Sequence, residues 1–191
     1  MTRILPVLAS GLLISPLLHA MPLNYTVATD NTVIGLSWQA FGHPSQASLD
    51  GVTGNITLDA EKEMNDRIDV KIPITTLQAS NSLLTYQLKS SLFFDAEHYP
   101  DITFTSSRVV ALGQGHFRVF GSLSVKNVQR PVILEATLEE QGGTSSHDGS
   151  LSLHATTAIS RSSFNMDRFT GVVDDRVAIN IEIRAKARNS V

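Results

Sequence analysis

The residues able to do chemistry in this chain are few and scattered. The histidines are His19, His43, His98, His116, His147 and His154, and no two share the H-x-x-x-H spacing that puts paired imidazoles on one helix face for a metal. Adjacent carboxylates occur as Asp174-Asp175 and Glu139-Glu140. Neighbours on a strand point to opposite faces, so neither pair converges as a general acid and base. Ser90-Ser91 and Ser162-Ser163 lie in no G-x-S-x-G elbow and suit turns and caps. No glycine-rich loop opens a helix to cradle a phosphate. With no cysteine, disulfides, thiol catalysis, a cysteine-bound zinc and a lipid-modified N-terminal cysteine are all excluded. The sequence therefore points to no catalytic residue, no metal and no cofactor. Three cations retain a role: Lys89, Arg161 and Arg168 would pair with a phosphate or pyrophosphate headgroup if they stood at the mouth of a lipid cavity. The alternative for them is ordinary surface charge.

Most of the chain has a period of two. Ile34, Leu36, Trp38 and Ala40 share one face of residues 32–41, and Ile56 and Leu58 follow a turn at Asp50-Gly51. Ile68, Val70, Ile72 and Ile74 alternate with Asp69, Lys71 and Pro73; the proline marks a strand end or an edge. The pattern recurs at Ile102 and Phe104, from Phe117 to Val125, from Val132 to Leu138, from Leu151 to Ile159 and from Val177 to Ala185. Turn signals separate the runs, at Gly113-Gln114-Gly115, at Asn127 to Pro131, and from Gly142-Gly143 to Gly149. One apolar and one polar face on each of about eight strands predicts an antiparallel barrel or sandwich.

The exception is Ser80 to Phe93. Leu84, Leu88 and Leu92 recur every four residues, the spacing of a helical stripe. Ser80, Asn81 or Ser82 can cap its start. The helix runs into Phe93-Phe94, breaks at Tyr99-Pro100 and leads into the strand of Ile102 and Phe104. A single amphipathic helix in a β chain must bury its stripe somewhere, and the mouth of a barrel is the nearest apolar surface. An eight-stranded barrel has room to be filled by side chains or to hold one small ligand.

The chain has 191 residues and a net charge of −3. Arg3 followed by the apolar run Ile4 to Leu18 and by Leu18-His19-Ala20 predicts a cleaved export signal over 1–20, and a single domain over 21–191. The run is too short for a spanning helix and holds Pro6 and Pro16. Removing residues 1–20 leaves 171 and takes away Arg3, so the charge becomes −4. Such a weakly acidic chain is no nucleic-acid binder.

Three stretches carry a family resemblance. Leu88-Lys89-Ser90-Ser91-Leu92-Phe93-Phe94-Asp95 with Tyr99-Pro100 through Ser106 is similar to the helix-to-strand signature of the YceI-like family. Gly121-Ser122-Leu123 through Arg130-Pro131-Val132 resembles that family's hairpin, and Ile159-Ser160-Arg161-Ser162-Ser163-Phe164-Asn165-Met166 its I-x-R-x-x-F loop. Asn31-Thr32 replaces a frequent His-Ser pair, Leu84, Thr85 and Gln87 replace charged helix positions, and Asn127 replaces a hairpin glycine. The resemblance implies a periplasmic lipocalin-like barrel with the helix as a lid, holding a polyisoprenoid. The helix replacements would make this lid more apolar. The expectation is thus a non-enzymatic exported carrier or buffer for an isoprenoid lipid or isoprenoid quinone. Leu36, Trp38, Leu84, Leu88, Leu92, Phe93, Phe104 and Phe164 would line its cavity. Transient membrane contact and a homodimer are both compatible with it. The competing expectations are an envelope interaction module with a filled core and, behind it, an envelope enzyme acting on a lipid.

Overall fold

Side chains that alternate in and out close a sheet on itself when its first and last strands pair. The computed structural model describes residues 23–59, 63–139 and 150–188. The expected export signal, the Gly142-to-Gly149 turn, Glu140, His19 and His147 lie outside them. The strands are β1 (Leu23–Val27), β2 (Val33–Ala40), β3 (His43–Leu49), β4 (Thr53–Leu58), β5 (Arg67–Pro73), β6 (Gln78–Ala79), β7 (Asp101–Gly113), β8 (His116–Val125), β9 (Val128–Leu138), β10 (Ser150–Ser160) and β11 (Arg176–Ala187). One helix, α1 (Ser82–Lys89), interrupts them. The ring runs β1-β4-β5-β7-β8-β9-β10-β11 and returns to β1, an eight-stranded antiparallel barrel.

β1 and β2 share one edge of β11 in tandem. β1 pairs with its end through Tyr25↔Ala187 to Val27↔Ala185, and β2 pairs with its start through Val33↔Glu182 to Ser37↔Ala178. A short 3-10 turn, Thr29–Asn31, separates them. Thr32 is fully buried at this junction, donating its hydroxyl to Ala28 O (3.0 Å) and accepting from Arg184 N–H (3.3 Å). β2 continues outward to β3 and β6. The β9–β10 ladder is short for its strands. Only Glu135 to Leu138 face Thr156 to Leu153, although each strand has 11 residues.

The alternation seen in the sequence is the inside–outside code of the barrel. Ile68, Val70 and Ile72 on β5, Leu134 and Ala136 on β9, and Ile179, Ile181 and Ile183 on β11 line the interior. Outward residues carry the charge, including the surface pairs Arg118–Glu135 (2.7 Å) and Lys71–Asp101 (2.8 Å). Apolar inside and polar outside is the inverse of a membrane-spanning barrel. Asn127 in the β8–β9 turn holds φ 58°, a left-handed conformation that asparagine tolerates.

The helix is shorter than its leucine stripe. Asn81 caps it, its Oδ1 accepting from Leu84 N–H at 2.8 Å. Ser90 ends it: its hydroxyl donates to Gln87 O (2.7 Å) and its own N–H to the Tyr86 and Gln87 carbonyls. The side chain of Lys89 reaches back to donate to Thr75 O (2.6 Å). Ile74 likewise leaves the strand pattern. It opens a 3-10 turn, Ile74–Thr76, yet is almost completely buried.

Candidate functional site

Two apolar chambers lie end to end in the barrel. The mouth chamber, about 270 Å³, is built chiefly from three segments, with Val177 of β11 also lining it. The end of β2 supplies Leu36 and Trp38. The helix and the turn after it supply Leu84, Gln87, Leu88, Phe93 and Phe94. The segment between β10 and β11 supplies Met166, Phe169 and Val173. The ring of Phe93 stacks on Phe169, with centroids 6.2 Å apart and planes 22° from parallel. The inner chamber, about 120 Å³, is walled by the inward residues of the barrel with Thr32 and Thr157 among them. Leu36, Phe94, Met166 and Val177 line both chambers, so the two adjoin.

Phe104 reaches the inner chamber because its neighbour has no side chain. A Cβ at Gly121 would stand 2.4 Å from Phe104 Cζ and 2.7 Å from Thr105 O. The ring fills the space that any other residue at 121 would take, so this glycine is required for close approach rather than for its turn-forming φ.

The residues expected to line a cavity divide. Leu36, Trp38, Leu84, Leu88 and Phe93 line the mouth chamber, and Phe104 the inner one. Leu92 does not. It is 42% exposed and outside both linings, because the helix stops at Lys89 and the four-residue repeat loses its geometry there. Phe164 also stands outside both linings. The 3-10 turn Arg161–Phe164 carries it into the packed core, where almost none of it is accessible. Phe41, Phe94, Met166, Phe169 and Val173 line the mouth chamber without having been singled out. Aromatic type was the available signal for three of them; Met166 and Val173 sit in a loop, where no periodicity marks a face.

The three cations separate too. Lys89 holds the helix end and lines neither chamber. The Arg168 side chain is exposed and outside both linings. Arg161 is 4% exposed and faces the mouth chamber. Its guanidinium donates to the carbonyls of Asp174 (Nε, 2.9 Å), Met166 and Arg168 (Nη1, the latter 2.8 Å) and Val173 (Nη2, 2.9 Å). It thereby ties down the whole loop that forms one side of the mouth. Four of five N–H groups are spent, leaving one on Nη2.

Of the adjacent carboxylates, Asp175 is engaged by its neighbours. Asp175 accepts from the Ser160 hydroxyl and from Ser162 N–H (2.8 Å), and these bonds, the hydroxyl first, hold its pKa below the usual carboxylate range. Among the described histidines, His98 donates its Nδ1–H to the Asp95 carboxylate (2.9 Å), which raises its pKa above the ordinary imidazole value. His116 meets the Thr137 hydroxyl at 3.1 Å. Among the described residues, no three His, Asp or Glu side chains converge on a point where a metal could sit. Among the described residues, no helix is long and apolar enough to cross a membrane.

This architecture has relatives of known shape. The structure superposes on Burkholderia cenocepacia BcnA with a TM-score of 0.74 at 21% identity, over 84% of this chain and 99% of that one. It superposes on a polyisoprenoid binding domain from Saccharophagus degradans with a TM-score of 0.64 at 12% identity, over 87% and 99%. In sequence, the UPF0312 protein of Photorhabdus laumondii is 28% identical over 138 residues, 71% of each chain. A UPF0312 protein of Pseudomonas putida is 24% identical over 152 residues, 78% of this chain and 79% of the relative. The YceI-like domain matches residues 25–185, essentially the whole barrel, and the chain belongs to that family.

Proposed function

We propose that this barrel is a non-enzymatic binder of an isoprenoid lipid or isoprenoid quinone, exported to the periplasm and acting there as a carrier or buffer. One observation carries the reading: two adjoining hydrocarbon-walled chambers that meet at Leu36, Phe94, Met166 and Val177. The likeness in fold to the polyisoprenoid binding domain of Saccharophagus degradans supports the ligand class. A cavity of this chemistry rewards chain length, because each buried methylene contributes about 0.8 kcal/mol against water. Against a bilayer the same transfer is near neutral, which suits reversible exchange better than trapping.

The chambers also bound the ligand. A dry cavity of about 150 Å³ takes one benzene. By that measure the resting cavity holds on the order of three prenyl units, and a longer chain must move the walls or trail out of the mouth. Of the three cations, Arg161 is the one whose placement suits a headgroup: it is buried on the mouth wall with one N–H left for a carbonyl or phosphate oxygen.

The partly empty interior favours this reading over an interaction module with a filled core. The test is native mass spectrometry of protein recovered from its own cells, followed by organic extraction. A homogeneous prenyl lipid is the expected result. Protein that stays empty, even after incubation with farnesol, a long-chain prenol and an isoprenoid quinone, would refute the proposal.

A further inference from the structure

The mouth chamber opens through a rim that the protein leaves bare. Phe41 is 66% and Phe169 51% exposed although both also line the chamber. Both hold left-handed backbone, φ 52° and 59°, which bulky residues rarely adopt and which persists only where the surroundings enforce it. Those surroundings are visible. Phe41 N–H donates to Val172 O (2.6 Å), and the N–H groups of Val172 and Val173 donate to Phe169 O (3.2 and 3.0 Å). The β2–β3 turn and the loop after β10 are thus laced together with their rings held outward. Val172 in the same loop, Leu92 just after α1, and Leu83 and Tyr86 on α1 are exposed as well.

Size and charge argue for one occupant. The six side chains expose on the order of 600 Å², more than scattered surface hydrophobics but short of the roughly 800 Å² per partner that a stable protein complex buries. Two of them, Phe41 and Phe169, also line the chamber itself. Residues 41–43, 82–92 and 168–173 contain Lys89, Arg168 and His43 and no carboxylate, in a chain whose net charge is −3. The carboxylates of Asp167 and Asp174 flank the last segment from outside it. Tyrosine and phenylalanine beside lysine and arginine suit the headgroup boundary of a bilayer.

We propose that this rim docks on the surface of an anionic bilayer, so that the mouth chamber opens onto lipid chains without crossing water. The inference adds a surface to the lipid-binding reading, and the assay separates the two. Protein from its own cells is floated with vesicles of phosphatidylglycerol and phosphatidylethanolamine, or of phosphatidylcholine, and Trp38, the single tryptophan, reports contact through quenching by brominated lipid. The test variant is Leu83→Ser/Tyr86→Ser/Leu92→Ser/Val172→Ser, none of which lines either chamber. Wild type should float with the anionic vesicles, and the variant should bind about tenfold or more weakly with its thermal unfolding and its capture of farnesol from ethanol retained. Lys89→Gln/Arg168→Gln should remove the preference for anionic lipid. Wild type that stays at the bottom of the gradient, or a variant that floats equally well, overturns the proposal. So does a wild-type dimer in lipid-free buffer that the four substitutions dissolve, because the rim then covers a second copy. Flotation without capture of any prenyl lipid supports docking and sinks the cavity reading alone.

Discussion

Gly121→Ala puts the packing of the inner chamber to a direct test. Carbon atoms settle about 3.5–4.0 Å apart, and the new methyl would sit 2.4 Å from Phe104 Cζ and 2.5 Å from Cε2. The ring must retreat by roughly 1 Å, and the only direction open to it is into the chamber of about 120 Å³. The Thr105 carbonyl, 2.7 Å away, belongs to the β7–β8 ladder and gives less. Overpacking of this kind costs about 1–3 kcal/mol, which for a domain of this size lowers Tm by roughly 2–12 °C. Glycine to alanine in an unobstructed strand changes stability in the opposite direction by about 0.5–1 kcal/mol, so the sign is diagnostic. Thermal unfolding by circular dichroism gives the stability, and titration with farnesol gives the effect on the chamber, expected as weaker binding. In a Phe104→Leu background the same substitution should cost less by about 1 kcal/mol. An unchanged or raised Tm for Gly121→Ala, or strictly additive costs in the double variant, would show that the ring does not occupy the glycine's space.

Leu88→Ala should destabilise by about 2–5 kcal/mol, whereas Leu92→Ser should stay within about 0.5 kcal/mol of wild type; equal losses in chemical denaturation would place Leu92 back on a buried helix face. Arg161→Met removes the guanidinium that four loop carbonyls share. It should cost about 3 kcal/mol or more, from carbonyls left without a donor, and speed hydrogen exchange across 166–174, and a loop with wild-type protection would contradict that role. Asp175 has a folded pKa held down first by the Ser160 hydroxyl. Its contribution to stability is therefore present above the ordinary carboxylate pKa of about 3.9 and lost as pH falls through the lowered value. Ser160→Ala should move the Asp175 titration upward in carbon-detected NMR; an unmoved midpoint would reject the hydroxyl as the cause.

The barrel was largely legible because its code is binary. Strands such as β5 and β11 alternate without a fault, and burying one face of each leaves few ways to close the sheet. Three strands escaped notice, the two-residue β6 among them, and the other two for a physical reason. β3 reads His43-Pro44-Ser45-Gln46-Ala47-Ser48-Leu49, with small or polar residues at most positions. β1 has only five residues and follows closely on the apolar run Ile4 to Leu18 in sequence. The helix was legible in kind but not in length, since a stop made by Ser90 bonding to Gln87 leaves no trace in hydrophobic spacing. The site was legible where it rests on strands and helix. Its loop side, from Met166 to Val173, was not, because its positions are set by Arg161, for which the sequence left open a headgroup contact or surface charge and which mostly holds the protein's own carbonyls.

The abbreviated ladder between β9 and β10 gives the wall a weak line. Beyond Glu135 and Thr156, toward the mouth, the two strands part with no paired backbone between them, and a single bond, Thr157 Oγ1 to Ile133 O at 2.7 Å, bridges the gap. Elsewhere, swelling the barrel means rupturing inter-strand bonds; here a slit can widen by bending two long ribbons that are each anchored on their other side. The girth of the barrel would therefore adjust along one stave, and a lipid of the proposed kind too bulky for the closed form would have a place to make room.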